Sequence, residues 1–369
     1  MERTRQFSTW IEVDLGAIEN NVRQVRQITS VRVMAVVKAD GYGHGAVEVA
    51  RAALRSGASW CGVARVEEAL ELRSAGIEAP ILVLGYTPAE RVEGAIAARV
   101  SLTVWSLEHV QQAVGAAERS GSPARLHLKV DTGMSRLGAQ PEEALEMARR
   151  LAREPGVVFE GLFTHLACAD DANPATTDAQ GQVFRQLLGR LEAEGLRPPL
   201  VHAANSAASL GRPDLYFDMV RLGIAMYGLH PSAACPLPPA FRPALAWKSV
   251  LSQVKSVVPG QGISYGHEYV TTTEERIGTA PVGYADGFRR GIPNQVLVGG
   301  KIVPVVGRVC MDQIMLQLDT VPEAREGDEV VLIGVQGGER ISAEQVARRW
   351  GTVNYEVVCG IGRRVPRFY

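Results

Sequence analysis

The chain has 369 residues, of which 46% are hydrophobic, and its 39 basic and 40 acidic side chains leave a formal net charge of −1. This length fits two domains with a large apolar core. A charge near zero gives little general attraction to nucleic acid or to an anionic membrane, and no apolar run approaches the roughly 20 residues that span a bilayer. Five scattered cysteines without a Cys-x-x-Cys pair argue against a disulfide framework and a structural zinc site. With an N-terminus unlike an export signal, we expect a cytoplasmic protein that binds neither nucleic acid, membrane nor metal.

From residue 11 to about residue 231, short β-branched runs alternate with longer stretches of helical periodicity, such as 45–57 and 141–154. Strand candidates lie at 31–39, 59–64, 80–85, 99–105, 124–131, 157–165, 200–204 and 217–224. Strands that alternate with helices indicate a parallel sheet. The sequence therefore predicts an α/β fold, with an N-terminal (β/α)8 TIM-type barrel over residues 1–235.

A proline-rich stretch at 231–245 is typical of a linker. Beyond it, alternating or wholly apolar runs are separated by glycine-rich turns. This pattern predicts a second, mostly-β domain over residues 236–369.

Lys38 ends the first strand candidate, in "VVKADGYGHG". In a (β/α)8 barrel, active sites form at the carboxyl ends of the strands. A lysine there is either a solvated side chain leaving the strand, or a partly desolvated amine whose lowered pKa allows a Schiff base with a carbonyl group. The glycines lack the GxGxxG spacing of a dinucleotide loop, so nucleotide binding is not indicated.

Two further motifs follow the seventh and eighth strand candidates. "HAANSAASL" places Asn205 and Ser206 at a predicted helix start, and "VRLGIAMYG" places Gly223 and Ile224 directly after a strand. Loops at these positions commonly bind phosphate in barrel enzymes, although simple N-capping would explain Asn205 and Ser206 equally well. Together with Lys38, they point to a phosphorylated carbonyl cofactor, and pyridoxal 5'-phosphate is the obvious candidate.

Other polar residues end strands at the same side of the predicted barrel. Lys129 and Arg136 follow the fifth strand candidate, His165 follows the sixth, and Arg221 lies within the eighth. A lone histidine at a strand end is more often structural than catalytic. An arginine inside a barrel strand keeps its charge and must find an acceptor, and the ring nitrogen of a pyridine cofactor is suitable if the side chain faces inward.

The predicted β domain contains "GISYGHEY" (262–269), "GYADG" (283–287), "GRVCMDQ" (307–313) and "VNYE" (353–356). Each has an aromatic or charged residue near a turn, and packing of hairpins would explain any of them equally well. Spacing alone does not assign them to the site.

Nine motifs occur in a fixed order along the chain: "AVVKADGYGHG", "HLKVDTGMSRLG", "THLACAD", "HAANSAA", "VRLGIAMYG", "ISYGHEY", "VGYADG", "GRVCMDQ" and "NYE". In this order they resemble the alanine racemases, fold-type III pyridoxal-phosphate enzymes, over nearly the whole chain. The resemblance implies a barrel followed by a β domain, a head-to-tail homodimer, and sites to which both subunits contribute. It also implies interconversion of L-alanine and D-alanine, which supplies D-alanine for peptidoglycan.

The resemblance further implies roles for individual residues. Lys38 resembles the Schiff-base lysine that also acts as the base on one face of the substrate, and Tyr265 from the partner subunit resembles the base on the other face. Arg221 resembles the partner of the pyridine nitrogen. Because tyrosine is a weak acid, we expect a hydrogen-bonded chain of His165 and Arg221 to stabilise its deprotonated form. The residues that match the phosphate site or its surroundings are Tyr42, Asn205, Ser206, Gly223, Ile224 and Tyr355.

Arg136 resembles the residue that meets the phenolic oxygen of the cofactor and the substrate carboxylate. Met311 resembles a backbone donor to that carboxylate, with Asp312 beside it. Lys129 matches a lysine that some members carry as a carbamate, which orients the arginine corresponding to Arg136.

The access passage to the site is implied to include Asp170, Tyr284, Arg290 and Arg308. Here the sequence departs from the family, since Arg289 stands where proline is common and Phe288 where an aromatic alcohol is frequent.

Three alternatives remain at this stage. The first is a racemase of broader specificity, acting on serine or basic amino acids. The second is a fold-related pyridoxal-phosphate decarboxylase. Such an enzyme would use an acidic partner at the pyridine nitrogen and a cysteine from the second chain, so Arg221 and Tyr265 argue against it. The third is a single-domain carrier of pyridoxal phosphate, against which the β domain argues. His44 has no role in any of these interpretations.

Overall fold

The structure, a computed structural model, describes residues 6–291 and 293–369. These residues form two compact units. One is built from Gly16–Arg242, and the other from the described residues up to Leu15 together with Pro243–Tyr369.

The strands are, in chain order, β1 (Thr9–Val13), β2 (Arg32–Val36), β3 (Trp60–Val63), β4 (Ile81–Val83), β5 (Ser101–Val104), β6 (Ala124–Lys129), β7 (Val157–Phe163), β8 (Leu200–His202), β9 (Met219–Leu222), β10 (Leu245–Val250), β11 (Gln253–Val257), β12 (Gly262–Ile263), β13 (Tyr269–Val270), β14 (Glu275–Ala280), β15 (Gln295–Val298), β16 (Lys301–Val306), β17 (Ile314–Gln317), β18 (Glu329–Gln336), β19 (Glu339–Ile341) and β20 (Arg367–Phe368).

The helices are α1 (Leu15–Thr29), the single turn α2 (Lys38–Tyr42), α3 (Ala46–Arg55), α4 (Val66–Ser74), α5 (Ala89–Ala97), α6 (Leu107–Ser120), α7 (Pro141–Leu151), α8 (Ala175–Ala193), α9 (Ser206–Gly211), α10 (Ala343–Trp350) and α11 (Asn354–Cys359). Short 3-10 helices lie at Pro213–Leu215, Ile224–Tyr227, Tyr265–His267 and Tyr284–Asp286. Within the part of the chain that the structure describes, no helix is both long and apolar enough to cross a membrane.

Eight parallel strands of the first unit form one sheet in the order β8-β7-β6-β5-β4-β3-β2-β9. Two backbone hydrogen bonds link β8 to the segment around β9, from Asp218 N to Val201 O at 2.9 Å and from Arg221 N to Ala204 O at 3.0 Å. The sheet is thus nearly closed into a barrel. The predicted (β/α)8 barrel is confirmed, and each strand candidate corresponds to one strand of this sheet.

The helices of the barrel follow from apolar residues at helical spacing. In α3 the buried face consists of Ala46, Val49, Ala50, Ala52 and Ala53, and these small side chains allow close packing of the helix on the sheet. Because helices cover the outside of the sheet and side chains fill its interior, strands such as β3 and β5 are buried along their whole length.

The second unit contains the predicted mostly-β region. Its main sheet has the order β11-β14-β17-β16-β15-β18-β10-β1-β20, with β19 paired to β18. The N-terminal strand β1 is part of this sheet, because it pairs antiparallel with β10 and parallel with β20. The sequence pattern had placed residues 9–13 with the barrel, and the observed pairing differs because their partners follow more than 230 residues later in the chain. The strand pattern itself contains no information about such a distant partner.

Candidate active site

The predicted site residues of the barrel unit lie at the carboxyl ends of its strands, where barrel enzymes place their chemistry. Lys38 follows β2, Lys129 ends β6, His165 follows β7, and Asn205 follows β8. Gly223 directly follows β9. One end of the barrel therefore collects all of these groups.

The turn α2, which connects Lys38 to Tyr42, has an unusual backbone conformation. Ala39, Asp40 and Tyr42 have positive φ angles of 53°, 52° and 52°, as does Gly41 at 60°. Left-handed backbone costs a residue with a side chain roughly 1–2 kcal/mol, so surrounding contacts must maintain this turn. The carboxylate of Asp40 accepts a hydrogen bond from Ala46 N at 2.9 Å. The backbone N–H of Ala39 donates to Glu68 Oε1 at 2.7 Å, which anchors the turn to the neighbouring helix α4.

Tyr42, His44 and Tyr227 form a buried aromatic cluster beneath the site. The Tyr227 ring lies 4.9 Å from that of Tyr42 and 4.6 Å from that of His44, measured between ring centroids. His44 Nδ1 donates to the carbonyl of Tyr42 at 2.9 Å, and the Tyr227 hydroxyl donates to the carbonyl of Val36 at 3.0 Å. The sequence alone assigned no role to His44, and the structure shows that it supports the position of Tyr42.

The predicted phosphate-site residues of the barrel unit converge. Ser206 Oγ accepts hydrogen bonds from Gly223 N at 2.9 Å and from Ala225 N at 3.3 Å. A Cβ atom added to Gly223 would lie 2.8 Å from the Tyr42 hydroxyl, so the glycine permits this close approach. Asn205 caps α9, since its Oδ1 accepts from Ala208 N at 3.1 Å. Asn205 is therefore an N-cap, as one of the two sequence interpretations predicted. Ser206 is the first residue of the same helix.

Arg221 carries a buried charge, with 4% of its surface exposed. One terminal nitrogen, Nη1, donates to Nδ1 of His202 at 3.0 Å and to the carbonyl of the same residue at 3.1 Å. The other, Nη2, lies 2.8 Å from Thr164 O, 2.9 Å from Ala203 O and 3.1 Å from His165 Nδ1. Burial lowers the pKa of Arg221 to about 9, so the guanidinium stays charged at neutral pH.

These contacts leave one donor of Arg221 for a ligand. All of its hydrogen bonds to described residues start from the two terminal nitrogens, so the Nε–H group remains for an acceptor from outside the chain. A neutral pyridine nitrogen is such an acceptor. The residues present therefore fit a pyridine cofactor.

His165 is neutral in this environment. Burial lowers its pKa to about 2, and the positive charge of Arg221 acts in the same direction. Because an arginine can only donate, Nδ1 of His165 accepts from Arg221, and the imidazole proton resides on Nε2. The predicted pairing of His165 with Arg221 is observed, with a defined tautomer.

Lys129 lies beside the same group of cations. It is buried, and its amine lies 5.4 Å from the ring centroid of Phe163. Burial lowers the pKa of Lys129 to about 8, and the charges of Arg221 and Arg136 contribute. Arg136 itself is exposed, in the loop that follows β6. Four cations near one another, Lys38 among them, form a site suited to anionic groups.

Two groups at this end were missed by sequence reasoning. His202 and the Thr164 carbonyl hold the guanidinium of Arg221, yet both fell within predicted strands. The only available signal was a histidine at the last position of a buried strand, in "LVHAA".

In the other unit, Tyr265 lies in a 3-10 helix with 69% of its surface exposed. The preceding Ser264 has a φ angle of 64°, and its hydroxyl donates to the carbonyl of Arg308 at 2.7 Å. A surface cleft of about 690 Å³ opens here; its lining residues are Ser264, Tyr265, Gly266, His267, Cys310, Met311, Asp312, Gln313 and Met315. The structure thus brings Tyr265, Met311 and Asp312 together.

Asp312 is held by an arginine that the sequence motifs did not indicate. Arg364 donates to Asp312 Oδ1 at 2.6 Å and to Asp286 Oδ1 at 2.6 Å. Asp286 belongs to the "GYADG" turn, so one guanidinium connects this turn to the "GRVCMDQ" loop. The signal in the sequence was weak, because "GRRVPRF" contains several arginines without distinguishing spacing.

The residues implied for the access passage are distributed over both units. Tyr284 and Arg290 are exposed, and Arg308 is half-buried and pairs with Glu268. Asp170 is half-buried in the barrel unit, where its carbonyl accepts from Ser232 Oγ at 2.9 Å. Tyr355, implied for the phosphate site, is half-buried on α11.

The unusual residues of that region have clear contacts. Arg289 pairs with Glu356 and lies 5.4 Å from the ring of Trp350. Phe288 is buried and packs between Trp247 and Trp350, at centroid distances of 6.0 Å and 6.1 Å. Both departures from the family pattern therefore serve packing within the β unit.

Known proteins resemble the chain over nearly its whole length. The sequence models of the alanine racemase N-terminal and C-terminal domains match residues 13–231 and 244–369. The chain is 49% identical to an alanine racemase of Symbiobacterium thermophilum, over 98% of this chain and 97% of that protein. It is 48% identical to the alanine racemase of Geobacillus stearothermophilus, over 98% and 93% of the respective chains.

Solved structures agree with these matches. Alanine racemase from E. faecalis superposes with a TM-score of 0.94 at 42% identity, over 99% of this chain and 98% of that one. Alanine racemase from Bacillus anthracis with bound L-Ala-P superposes with a TM-score of 0.92 at 44% identity, over 98% and 94% of the chains. The chain therefore belongs to the alanine racemase family of fold-type III pyridoxal-phosphate isomerases.

Proposed function

We propose that this protein interconverts L-alanine and D-alanine with bound pyridoxal 5'-phosphate, using Lys38 and Tyr265 of the partner subunit as the two bases. The observation that supports it most strongly is Arg221, a buried guanidinium at a barrel strand end whose Nε–H is the donor left for a ligand. When bound, the cofactor withdraws electrons from the α-carbon of an amino acid, and it does so less strongly while its ring nitrogen accepts a hydrogen bond than when that nitrogen is protonated. Arg221 therefore favours return of the α-proton over competing reactions.

Each remaining residue has a task that suits its chemistry. Lys38 would hold the aldehyde carbon, while the Tyr42 hydroxyl and the N–H groups near Ser206 and Gly223 would bind the phosphate. Arg136 would bind the phenolic oxygen and the substrate carboxylate. Cytoplasmic location remains a prediction from composition, and the role of Tyr355 in the phosphate site remains one from the resemblance.

Two protons must move on opposite faces of the α-carbon, which requires a second base opposite Lys38. Tyr265 suits this task if a second chain presents it, because it is exposed in a cleft that also contains Met311 and Asp312. His165 Nε2–H is positioned by Arg221 to donate to a phenolate oxygen. A head-to-tail homodimer would combine these parts.

Incubation of the purified holoenzyme with L-alanine or D-alanine in deuterated water tests the function. We expect formation of the opposite enantiomer with deuterium at the α-carbon, because the removed proton exchanges before the other face is protonated. Tyr265→Phe should lower α-proton exchange from one enantiomer by about 10²–10⁴-fold and affect the other far less. Exchange without inversion, or faster inversion of serine or lysine than of alanine, would contradict the assignment.

Mixing two inactive variants tests the shared site. Lys38→Ala and Tyr265→Phe should each abolish racemisation at every site of their own homodimer. After subunit exchange, a mixed dimer contains one site with both native residues, so about one quarter of wild-type activity should return at full statistical mixing. No recovery, with mixed dimers shown by mass spectrometry, would place both bases in one chain.

The close approach of Gly223 to the Tyr42 hydroxyl predicts that a side chain at position 223 weakens cofactor binding. A methyl group in Gly223→Ala would lie 2.8 Å from the Tyr42 hydroxyl, so pyridoxal phosphate should bind at least about tenfold more weakly. The double variant Y42F/G223A lacks that hydroxyl and should bind no worse than Gly223→Ala alone. Absorbance titration of the protein measures both, with Gly211→Ala as the control because its Cβ would meet open space. Fully additive losses would contradict this geometry.

Lys129 should carry a carbamate. With its pKa near 8, roughly a quarter of the amine is neutral at pH 7.5, against about one part in a thousand for an ordinary lysine, and only the neutral amine attacks carbon dioxide. Labelled ¹³C-bicarbonate should give a carbamate NMR signal that is absent in Lys129→Ala and that disappears as the pH falls below about 7, since protonation removes the nucleophile. Lys248→Ala is the control, because Lys248 is paired with Glu12 and Glu329. A signal that persists in Lys129→Ala refutes the carbamate.

A further inference from the structure

A chain of buried polar side chains continues from Arg221 into the barrel interior. His202 Nε2 lies 3.0 Å from Nδ1 of His127, and His127 Nε2 lies 3.3 Å from Oε2 of Glu160. This last contact is an ion-pair distance without the geometry of a hydrogen bond, and Nε2 of His127 has no hydrogen-bond partner among the described residues. Both histidines have no exposed surface, and Glu160 has only 9%. None of these three residues has a task in the reaction described above.

Donor and acceptor roles along this chain can be assigned from its Arg221 end. An arginine cannot accept, so Nδ1 of His202 must accept from it. Burial and the charge of Arg221 keep the pKa of His202 well below its usual range, so this ring is neutral and its single proton is on Nε2. That N–H donates to Nδ1 of His127, whose own proton is therefore on Nε2, the nitrogen that lies 3.3 Å from Glu160 Oε2.

Local structure is adapted to this chain. The register of β6 and β7 shifts by one residue here: Leu126 pairs with Phe159 but His127 pairs with Gly161, so Glu160 is the additional residue. Such irregularities redirect side chains. A Cβ atom on Gly161 would lie 2.2 Å from Nδ1 of His127, so only glycine leaves room for the imidazole.

Glu160 is held at its other side as well. Ser101 Oγ donates to Oε2 at 2.5 Å, and Arg125 Nη1 donates to Oε1 at 3.2 Å. Burial acts to raise the pKa of Glu160, but its contacts with His127, Ser101 and Arg125 outweigh it and the net shift is downward. The carboxylate is therefore ionised at neutral pH and acts as an acceptor.

We propose that Glu160 is a positioning residue for Arg221, because its oxygen 3.3 Å from Nε2 of His127 favours the proton on that nitrogen and so selects the tautomers that present Nδ1 of His202 to the guanidinium. Without that oxygen, a proton on Nε2 of His127 would be buried with no acceptor nearby. The tautomer with the proton on Nδ1 would then be favoured, because Nδ1 can donate to Nε2 of His202. His202 would then have to accept at Nε2 and carry its proton on Nδ1, which faces an N–H group of Arg221. The guanidinium would have to shift, and its Nε–H would no longer point where a ligand requires it.

The tautomers can be measured directly. The chain has seven histidines, so selective ¹⁵N labelling of the full-length protein gives few ring signals, before and after addition of pyridoxal phosphate. In the wild type, His127, His165 and His202 should all be neutral with the proton on Nε2. A protonated His127, or a His202 with its proton on Nδ1, would overturn the proposal without any variant.

Three variants then distinguish the effect of the Glu160 acceptor oxygen from the effects of its charge and of its packing. Glu160→Leu should move the His127 and His202 protons to Nδ1 and lower kcat by about ten- to a hundredfold, as misplacement of about 1 Å from a distant mutation does. Glu160→Gln keeps an acceptor oxygen and should preserve the tautomers and most of kcat. Arg125→Gln removes the half-exposed partner of the same carboxylate and should change neither.

The outcomes separate this proposal from the proposed function on which its kinetic part depends. If Glu160→Leu loses kcat but keeps the wild-type tautomers, the effect is structural and the positioning role is refuted. If Glu160→Leu does not fold, the tautomers of the wild type and of Glu160→Gln decide, and a His202 proton on Nδ1 in the wild type or a change of tautomer in Glu160→Gln refutes the role. If the wild type shows the expected tautomers but does not racemise alanine, the proposed function fails while the tautomer chain stands.

Discussion

The barrel site depends on one property of Arg221: a guanidinium donates hydrogen bonds in five directions and accepts none. Burial of such a group requires an acceptor for each terminal N–H, and the barrel supplies three carbonyl oxygens at the ends of two strands and two imidazoles. Every histidine that meets it is thereby forced into one tautomer. The hydrogen-bonding groups available at the barrel mouth follow from this constraint.

The second constraint is the left-handed turn that connects Lys38 to Tyr42. An ordinary right-handed helix start would direct these side chains differently, and several consecutive positive φ angles have a substantial energetic cost. Asp40 and Glu68 accept hydrogen bonds from the turn and its flank, while Tyr42 is packed against Tyr227. Strain at a functional turn is thus balanced by specific acceptors and by a buried aromatic cluster.

Much of the architecture could be predicted from the sequence, because the eight barrel strands are short β-branched runs between amphipathic helices. The position of Lys38 and Arg221 at one end of the barrel followed from that pattern. The pairing of β1 with β10 could not be predicted, since an alternating strand does not name its partner. The residues Glu160 and His127 were also missed, because a one-residue register shift determines their orientation and leaves no local signal.

Positive charge is concentrated at the barrel mouth, and this concentration favours the binding of anions there. The charges of Arg221 and Lys38 help to lower the pKa of Lys129 and of His165, and repulsion among cations weakens the folded state unless anions compensate it. A phosphate group, a substrate carboxylate and a carbamate are the anions that the proposed function supplies. Glu160 is the ionised carboxylate that the barrel itself contributes to the Arg221 network, and it lies two imidazoles away from the guanidinium. The distance between Glu160 and Arg221 matters. A carboxylate in direct contact with Arg221 would accept its hydrogen bonds and compete with the ligand. A carboxylate at the end of a polarised chain orients the guanidinium and leaves its Nε–H available.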